Sequence, residues 1–268
     1  MEDVYNTWAG CLESSPRIRM TIAREAPWTV RLYALGGLAA FGTSLAGGVW
    51  LYLSLGRPVG AADARQGALA VMADLLLFGL FALHHSLLAR TGAKARLIRV
   101  IPPSLERSTY VWIASLLFLL VVVLWQPVPG VWYRLDGWAR WPLWALQWLG
   151  LGLTLLAASA IDIRDLSGIT QAWRYHQPAA VDAPPADPDP FTTSGAYGLV
   201  RHPIYTAWFL MVWPTPLMTG GRLTFAAISS LYLLLAIPWE ERSLIAQYGE
   251  AYRRYVQRVP WKLLPRIY

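Results

Sequence analysis

Cysteine is all but absent from this chain: Cys11 is the only one in 268 residues. A single thiol excludes a disulfide framework, a cysteine-ligated zinc site and a dithiol redox pair. Histidine is scarce too. His84, His85, His176 and His202 are the full set, with no His-x-x-x-His or Cys-His spacing among them, so no metal centre is expected. Charged residues make up only 15% of the chain, against about 25% in an ordinary soluble domain. No glycine-rich fingerprint follows a strand-like run, so a soluble dinucleotide-type fold is not expected. The first 30 residues hold Arg17, Arg19 and Arg24 but no apolar stretch, which argues against a cleaved signal peptide. There is no internal repeat and no segment that reads as a separate soluble domain.

What the chain does have is apolar length. It is 56% hydrophobic, with a mean hydropathy of +0.37 and 15 tryptophans. Tryptophan favours the bilayer interface, where its ring is half apolar and its N–H stays wet. Crossing about 30 Å of hydrocarbon takes about 20 helical residues, and four runs reach or approach that length: 32–55, 68–89, 109–125 and 141–163. Two shorter runs follow at 204–219 and 223–238, separated by Gly220, Gly221 and Arg222, which reads as a tight helical hairpin. Pro214 and Pro216 interrupt its first arm, and broken helix at membrane depth is tolerated only where it faces protein or a cavity. The expected fold is therefore all-α, a polytopic transmembrane helical bundle of five to six spans. It ends in a helical hairpin and an amphipathic cytoplasmic helix over 240–258. Residues 1–268 read as one membrane domain, with an N-terminal segment over 1–30, a proline-rich loop over 177–190 and a motif-bearing region over 191–268.

Basic residues set the orientation. With six crossings, one side holds 18 of the 23 lysines and arginines, and the other holds Arg57, Arg65, Arg134, Arg140 and Arg222. The positive-inside rule then puts both termini in the cytoplasm, as expected of a bacterial inner-membrane protein. The net charge of +7 is explained by anionic lipid headgroups, and no nucleic-acid partner is expected because the basic residues follow the membrane pattern.

Two short motifs meet at the cytoplasmic boundary. The run from Gly195 to Tyr205 contains Leu199, Val200, Arg201, His202, Pro203 and Tyr205 at the mouth of the fifth apolar run. Pro203 suits the first turn of a helix, where its missing N–H costs nothing. Arg201 and His202 would then flank a helix start able to hold a carboxylate or phosphate. Tyr205 can offer a ring wall and one hydroxyl hydrogen bond. Where the sixth run ends, Glu240 and Glu241 follow Trp239. Adjacent helical residues differ by about 100° in direction, so one glutamate is expected to face the site and the other Arg242, Arg253 or Arg254. A competing reading has both simply favouring the N-terminal dipole of the 240–258 helix. Boundary ionisable groups are costly unless paired or used, which makes this cluster the first place to look for function.

Other candidates are weaker on sequence alone. His84 and His85 lie inside the second run and could relay a proton, bind haem or bond a neighbouring helix. Asp162, Arg164, Asp165, Gln171, Arg174 and Tyr175 cluster at the same boundary and read first as headgroup or salt-bridge residues. Gly150 and Gly152 read as helix-packing surface. The 177–190 loop is a linker or a lid.

With these motifs in view, the stretch from Thr192 to Tyr205 resembles the signature of integral membrane methyltransferases related to isoprenylcysteine carboxyl methyltransferase. Glu240-Glu241-Arg242 through Gly249, Tyr252, Tyr255 and Val259-Pro260 resembles that family's C-terminal motif. The Phe81–Arg90 run with His84-His85-Ser86, the Pro102-Pro103 run through Glu106, Arg107 and Tyr110, and Trp125-Gln126-Pro127 resemble the branch of methanethiol S-methyltransferases and NnrU-like proteins. The resemblance implies S-adenosylmethionine as methyl donor, held by Leu199, Val200, Arg201, His202, Tyr205, Glu240 and Glu241. It also implies a small thiol as acceptor, methanethiol becoming dimethyl sulfide. Arg174 to stabilise a thiolate and His85 to accept a proton are the candidates for activating the nucleophile. The alternatives are an isoprenylcysteine or phospholipid acceptor, or an NnrU-like protein of nitrogen-oxide or redox metabolism binding haem through His84 or His85.

Overall fold

The computed structural model describes residues 27–60, 63–88, 101–174 and 193–268. The proline-rich loop, Tyr175, His176 and nearly all of the N-terminal segment lie outside the described residues. Three long helices come first: α1 (Pro27–Ser54), α2 (Ala64–Leu88) and α3 (Pro103–Leu124). A short strand β1 (Val131–Arg134) leads into α4 (Arg140–Ala158), followed by two single-turn helices, α5 (Ile163–Ser167) and α6 (Ile169–Trp173). The C-terminal third holds α7 (Pro203–Val212), β2 (Leu217–Thr219), α8 (Gly220–Tyr248) and α9 (Glu250–Arg258). Five helices among the described residues are long and apolar enough to cross a membrane, and α7 is a shorter apolar helix. The chain is an integral membrane protein.

The core forms where α1, α2, α3, α7 and α8 converge on Phe225. Its ring meets Tyr52, Phe78, Trp125 and Trp208 at centroid separations of 5.4 to 6.4 Å. Hydrogen bonds from Trp208 to Ser229 and from Trp213 to Ser230, both 2.9 Å, fasten α7 to α8. Gly150 brings α4 against α7, since a Cβ there would lie 2.8 Å from the Ala207 carbonyl. Outward faces carry leucine and tryptophan, as lipid-facing helices require.

The hairpin departs from a pair of plain helices. At ten residues, α7 spans only about 15 Å, and the chain continues through Pro214 and Pro216 as extended backbone into β2, which pairs antiparallel with β1. Backbone freed from a helix must be satisfied within the protein at this depth, and side chains from three directions do so. Tyr52 and Gln147 donate to the Met211 carbonyl at 2.9 and 2.8 Å, and Arg222 donates to the Leu217 carbonyl at 2.9 Å. Leu135 N–H reaches Pro216 O at 2.8 Å. The first arm is thus half helix and half strand, its non-helical half packed in protein.

The second arm corrects the expected boundaries. Helix α8 does not stop at residue 238; it carries Pro238 in its interior and runs to Tyr248, and the break comes at Gly249, with φ +53°. Membrane helices tolerate an internal proline where neighbours take up the freed groups. The expected single helix over 240–258 is therefore the end of α8 plus the separate α9. Glu240 and Glu241 lie about twenty residues into a continuous helix, so no helix N-terminus exists there for them to favour.

Candidate active site

The stretch before α7 is anchored by the C-terminal segment. Arg201 N–H donates to Trp261 O at 2.9 Å, and His202 N–H to Lys262 O at 3.0 Å. His202 is the N-cap position of α7 and Pro203 its first residue, as the sequence predicts. The Thr206 hydroxyl adds a 2.6 Å bond to Leu263 O. On the other side, Tyr255 of α9 donates to Tyr197 O at 2.8 Å, holding the 195–198 turn. Tyr252, Tyr255 and Val259 form a small buried cluster beneath, while Arg253, Arg254 and Gln257 on the opposite face of α9 are exposed.

Arg201 is buried, its side chain only 4% exposed. Its Nε donates to Glu241 at 2.6 Å, and its Nη1 donates to the carbonyls of Val259 and Pro260 at 2.9 and 2.7 Å. The guanidinium thus joins three segments, α7's entry, α8 and the C-terminal tail, and holds the Glu241 carboxylate. The expectation that it offers itself to a ligand gives way to a role as an internal clamp.

His202 sits between the two glutamates. Its Nδ1 is 3.5 Å from Glu240 and its Nε2 is 3.4 Å from Glu241. The expectation that two adjacent glutamates cannot share a partner fails here. An imidazole presents its nitrogens in two directions, so it can meet carboxylates that diverge around the helix. Glu241 also has Lys262 at 3.9 Å, whereas the expected partners Arg242, Arg253 and Arg254 make no contact with either glutamate among the described residues. Tyr205 stacks on His202 (5.3 Å, 17°) and donates its hydroxyl to Glu240 at 2.8 Å.

Burial opposes a charge on His202, but its contacts with Glu240 and Glu241 outweigh that and raise its pKa above 6.5. A raised folded-state value means that the imidazolium stabilises the fold fully below pH 6.5 and that this contribution disappears as pH climbs through the higher value. Thermal unfolding of the detergent-solubilised protein should therefore show stability falling on the alkaline side of 6.5. His202→Gln should lack that limb; the same slope in both proteins would rule out His202 as its source.

Glu240 is the accessible member of the cluster, its side chain 44% exposed. Leu199 is exposed beside the turn and Val200 is buried, with both N–H groups closing on Ala196 O at 3.2 and 3.4 Å. Inward from Glu240, along the next two turns of α8, lies Tyr232, which accepts a 3.3 Å hydrogen bond from Ser86 of α2. That bond ties α2 to α8 two turns inward from Glu240, and Tyr110 of α3 contacts His85, the residue before Ser86, at 3.0 Å. His85 therefore adjoins the cluster. Arg174 does not: it caps α6, is exposed, and forms no bond or ion pair with the cluster among the described residues. Tyr232 and Lys262 are neighbours that motif reading missed, and Tyr110, though part of a motif, is given no role at the site by the sequence alone. A single phenol in the aliphatic run Leu231–Ala236 was the one signal for Tyr232, because a buried tyrosine needs a hydroxyl partner.

The arrangement is a carboxylate-rich mouth, electrically balanced by Arg201 and His202, walled by Tyr205 and continuing inward to a histidine. Within that balance the half-exposed Glu240 carboxylate is the group able to meet a cationic ligand. Among known proteins, the chain is similar to methanethiol S-methyltransferase 2 of Bradyrhizobium diazoefficiens, 35% identical over 247 residues that cover 89% of this chain and 91% of that protein. It is 42% identical to the methanethiol S-methyltransferase of Pseudomonas sp. strain GM41(2012), over 71% of this chain and 72% of that one. Nurim from Sus scrofa is 31% identical over 69% of this chain and 76% of its own. No family model and no solved structure matches.

Proposed function

We propose, from the premise that this chain belongs to the methanethiol S-methyltransferase family, that it is a membrane-embedded methyltransferase moving a methyl group from S-adenosylmethionine to a small thiol, methanethiol above all. The observation that carries the donor assignment is the exposed Glu240 carboxylate beside a buried, fully partnered Arg201–Glu241 pair. One acid serves the fold and the other is presented. S-adenosylmethionine bears an ammonium and a sulfonium, and Glu240 and the Tyr205 ring are groups that hold such cations. When bound, it supplies an electrophilic methyl group. Leu199 and Val200 border the same mouth, and Arg201, His202 and Glu241 keep Glu240 and Tyr205 in place. In this reading residues 191–268 are the donor-binding region, and His85 is the better of the two candidates for activating the thiol because Arg174 lies apart. By the positive-inside rule this mouth belongs on the cytoplasmic face, with membrane lipids as a further partner.

The test is methyl transfer by purified, detergent-solubilised protein from labelled S-adenosylmethionine to methanethiol, read as dimethyl sulfide in the headspace. Dimethyl sulfide supports the whole reading. Donor binding without thiol methylation means a different acceptor, and no donor binding at all rejects the site.

A further inference from the structure

Tyr110 meets His85 twice. Its hydroxyl is 3.0 Å from Nδ1 and 3.3 Å from the His85 carbonyl oxygen. A phenol has one proton to give. If that proton goes to the carbonyl, the contact with Nδ1 is attractive only when Nδ1 carries the imidazole proton and donates it to the phenol oxygen. The opposite tautomer would take the phenol proton for Nδ1 and leave two oxygens facing each other with lone pairs. Both contacts are favourable in one arrangement alone, and it leaves Nε2 unprotonated. Among the described residues Nε2 takes no hydrogen bond.

The surroundings fix the phenol as firmly as the phenol fixes the histidine. The Tyr110 ring is stacked by His84 (5.9 Å, 15°) and capped by the Arg107 guanidinium at 5.4 Å. Arg107 is in turn held by a 2.9 Å bond to Leu166 O. Ser86, the next residue along α2, bonds Tyr232 on α8. His85 itself packs against the rings of Phe81 on its own helix and Tyr110 on α3, at centroid separations of 5.5 and 5.8 Å. His84 also has ring nitrogens without a hydrogen-bond partner, but only at His85 does a neighbouring hydroxyl decide which nitrogen carries the proton.

Resting on the proposed thiol methylation, we infer that His85 Nε2 is the base that takes the acceptor's proton and that Tyr110 is the positioning residue that sets its tautomer. The thiol S–H bond breaks with its proton passing to Nε2. The sulfur lone pair forms the new S–C bond as the donor's sulfonium–carbon bond breaks, and the imidazolium then returns its proton to water. A thiolate is the stronger nucleophile, so the gain is greatest for a thiol that is protonated at the working pH.

The experiment uses purified wild type, His85→Gln and Tyr110→Phe with two small acceptors, methanethiol and a fluorinated alkanethiol acidic enough to be ionised already. With methanethiol, kcat is expected to fall about 100-fold or more in His85→Gln and about tenfold in Tyr110→Phe, with KM for the donor little changed. With the acidic thiol both variants should recover to within about threefold of wild type, because no base is needed. Nitrogen NMR of histidine-labelled protein should show His85 as the Nδ1–H tautomer in wild type and as a mixture in Tyr110→Phe. Equal losses with both thiols, or an unchanged tautomer, would overturn the assignment and make the pair structural. A wild type inert toward every thiol would instead reject the parent reading, and this one with it.

Discussion

Arg201→Ala should cost more stability than any other single change at the site and release the C-terminal tail before the bundle melts. The guanidinium is almost fully buried and carries three hydrogen bonds, one to Glu241 and two to the carbonyls of Val259 and Pro260. Removing one partner of a buried ion pair costs about 3–5 kcal/mol, chiefly from the charge left behind. Here His202 and Lys262 remain near Glu241, which favours the lower end. The orphaned carbonyl of buried Val259 adds to it, because a buried acceptor without a donor costs about 1–3 kcal/mol, whereas that of exposed Pro260 can turn to water. Against a total stability of about 5–15 kcal/mol, that is a large fraction. Arg201→Lys keeps the charge but not the forked geometry, so it should recover only part of the loss. Thermal unfolding together with hydrogen exchange over residues 259–268 checks this. An Arg201→Ala protein that melts with the wild type and keeps its tail protected would dispose of the clamp.

The clamp also shows where the amino-acid sequence could be read and where it could not. The first four spans were legible because lipid demands long apolar runs, and their cores lie where hydropathy puts them: α1, α2, α3 and α4 take up most of the four runs between residues 32 and 163, the last helix stopping at Ala158, five residues short of its expected end. Their ends were less so, since α1 begins at Pro27 and α3 at Pro103, upstream of the apolar stretches. Pro238 read as a stop because in water it would be one; within a bundle it is carried inside α8. That single misreading turned Glu240 and Glu241 into helix-start residues. The half-strand of the first hairpin arm was foreshadowed by Pro214 and Pro216, but its partner was not, because β1 carries no alternating apolar face.

At the site, the residue types were legible and the division of labour was not. Arg201, His202, Tyr205, Glu240 and Glu241 do come together, which the two motifs imply. Which acid is buried depends on a tail sixty residues downstream of Arg201, whose carbonyls at Val259 and Pro260 have no side-chain signature at all. Tyr110 is in a motif the sequence displays, yet its bond to His85 spans 25 residues and two helices, a distance over which no periodicity carries information.

Glu240→Gln is the change expected to separate donor binding from folding. The substitution keeps the shape and keeps an oxygen to accept from Tyr205, which donates to Glu240 at 2.8 Å. Only the charge is lost. Losing the charge also weakens the 3.5 Å contact with His202, but Glu240 is substantially exposed and Glu241 still holds the imidazole, so thermal stability should fall only slightly, whereas Glu241→Gln, beside buried Arg201, should be clearly destabilised. A hydrogen bond to a charged group contributes about 1.5–3 kcal/mol, so affinity for S-adenosylmethionine should drop roughly 10- to 100-fold. Measuring retention of the labelled donor and of S-adenosylhomocysteine side by side sharpens the result, since the two share an ammonium but only the first has a sulfonium. Equal weakening would mean that Glu240 holds the ammonium. Weakening confined to S-adenosylmethionine would place the carboxylate opposite the sulfonium, close to the methyl group and to His85. If neither ligand binds more weakly, Glu240 is no part of the donor site, and the carboxylate that the fold leaves exposed must answer to something else.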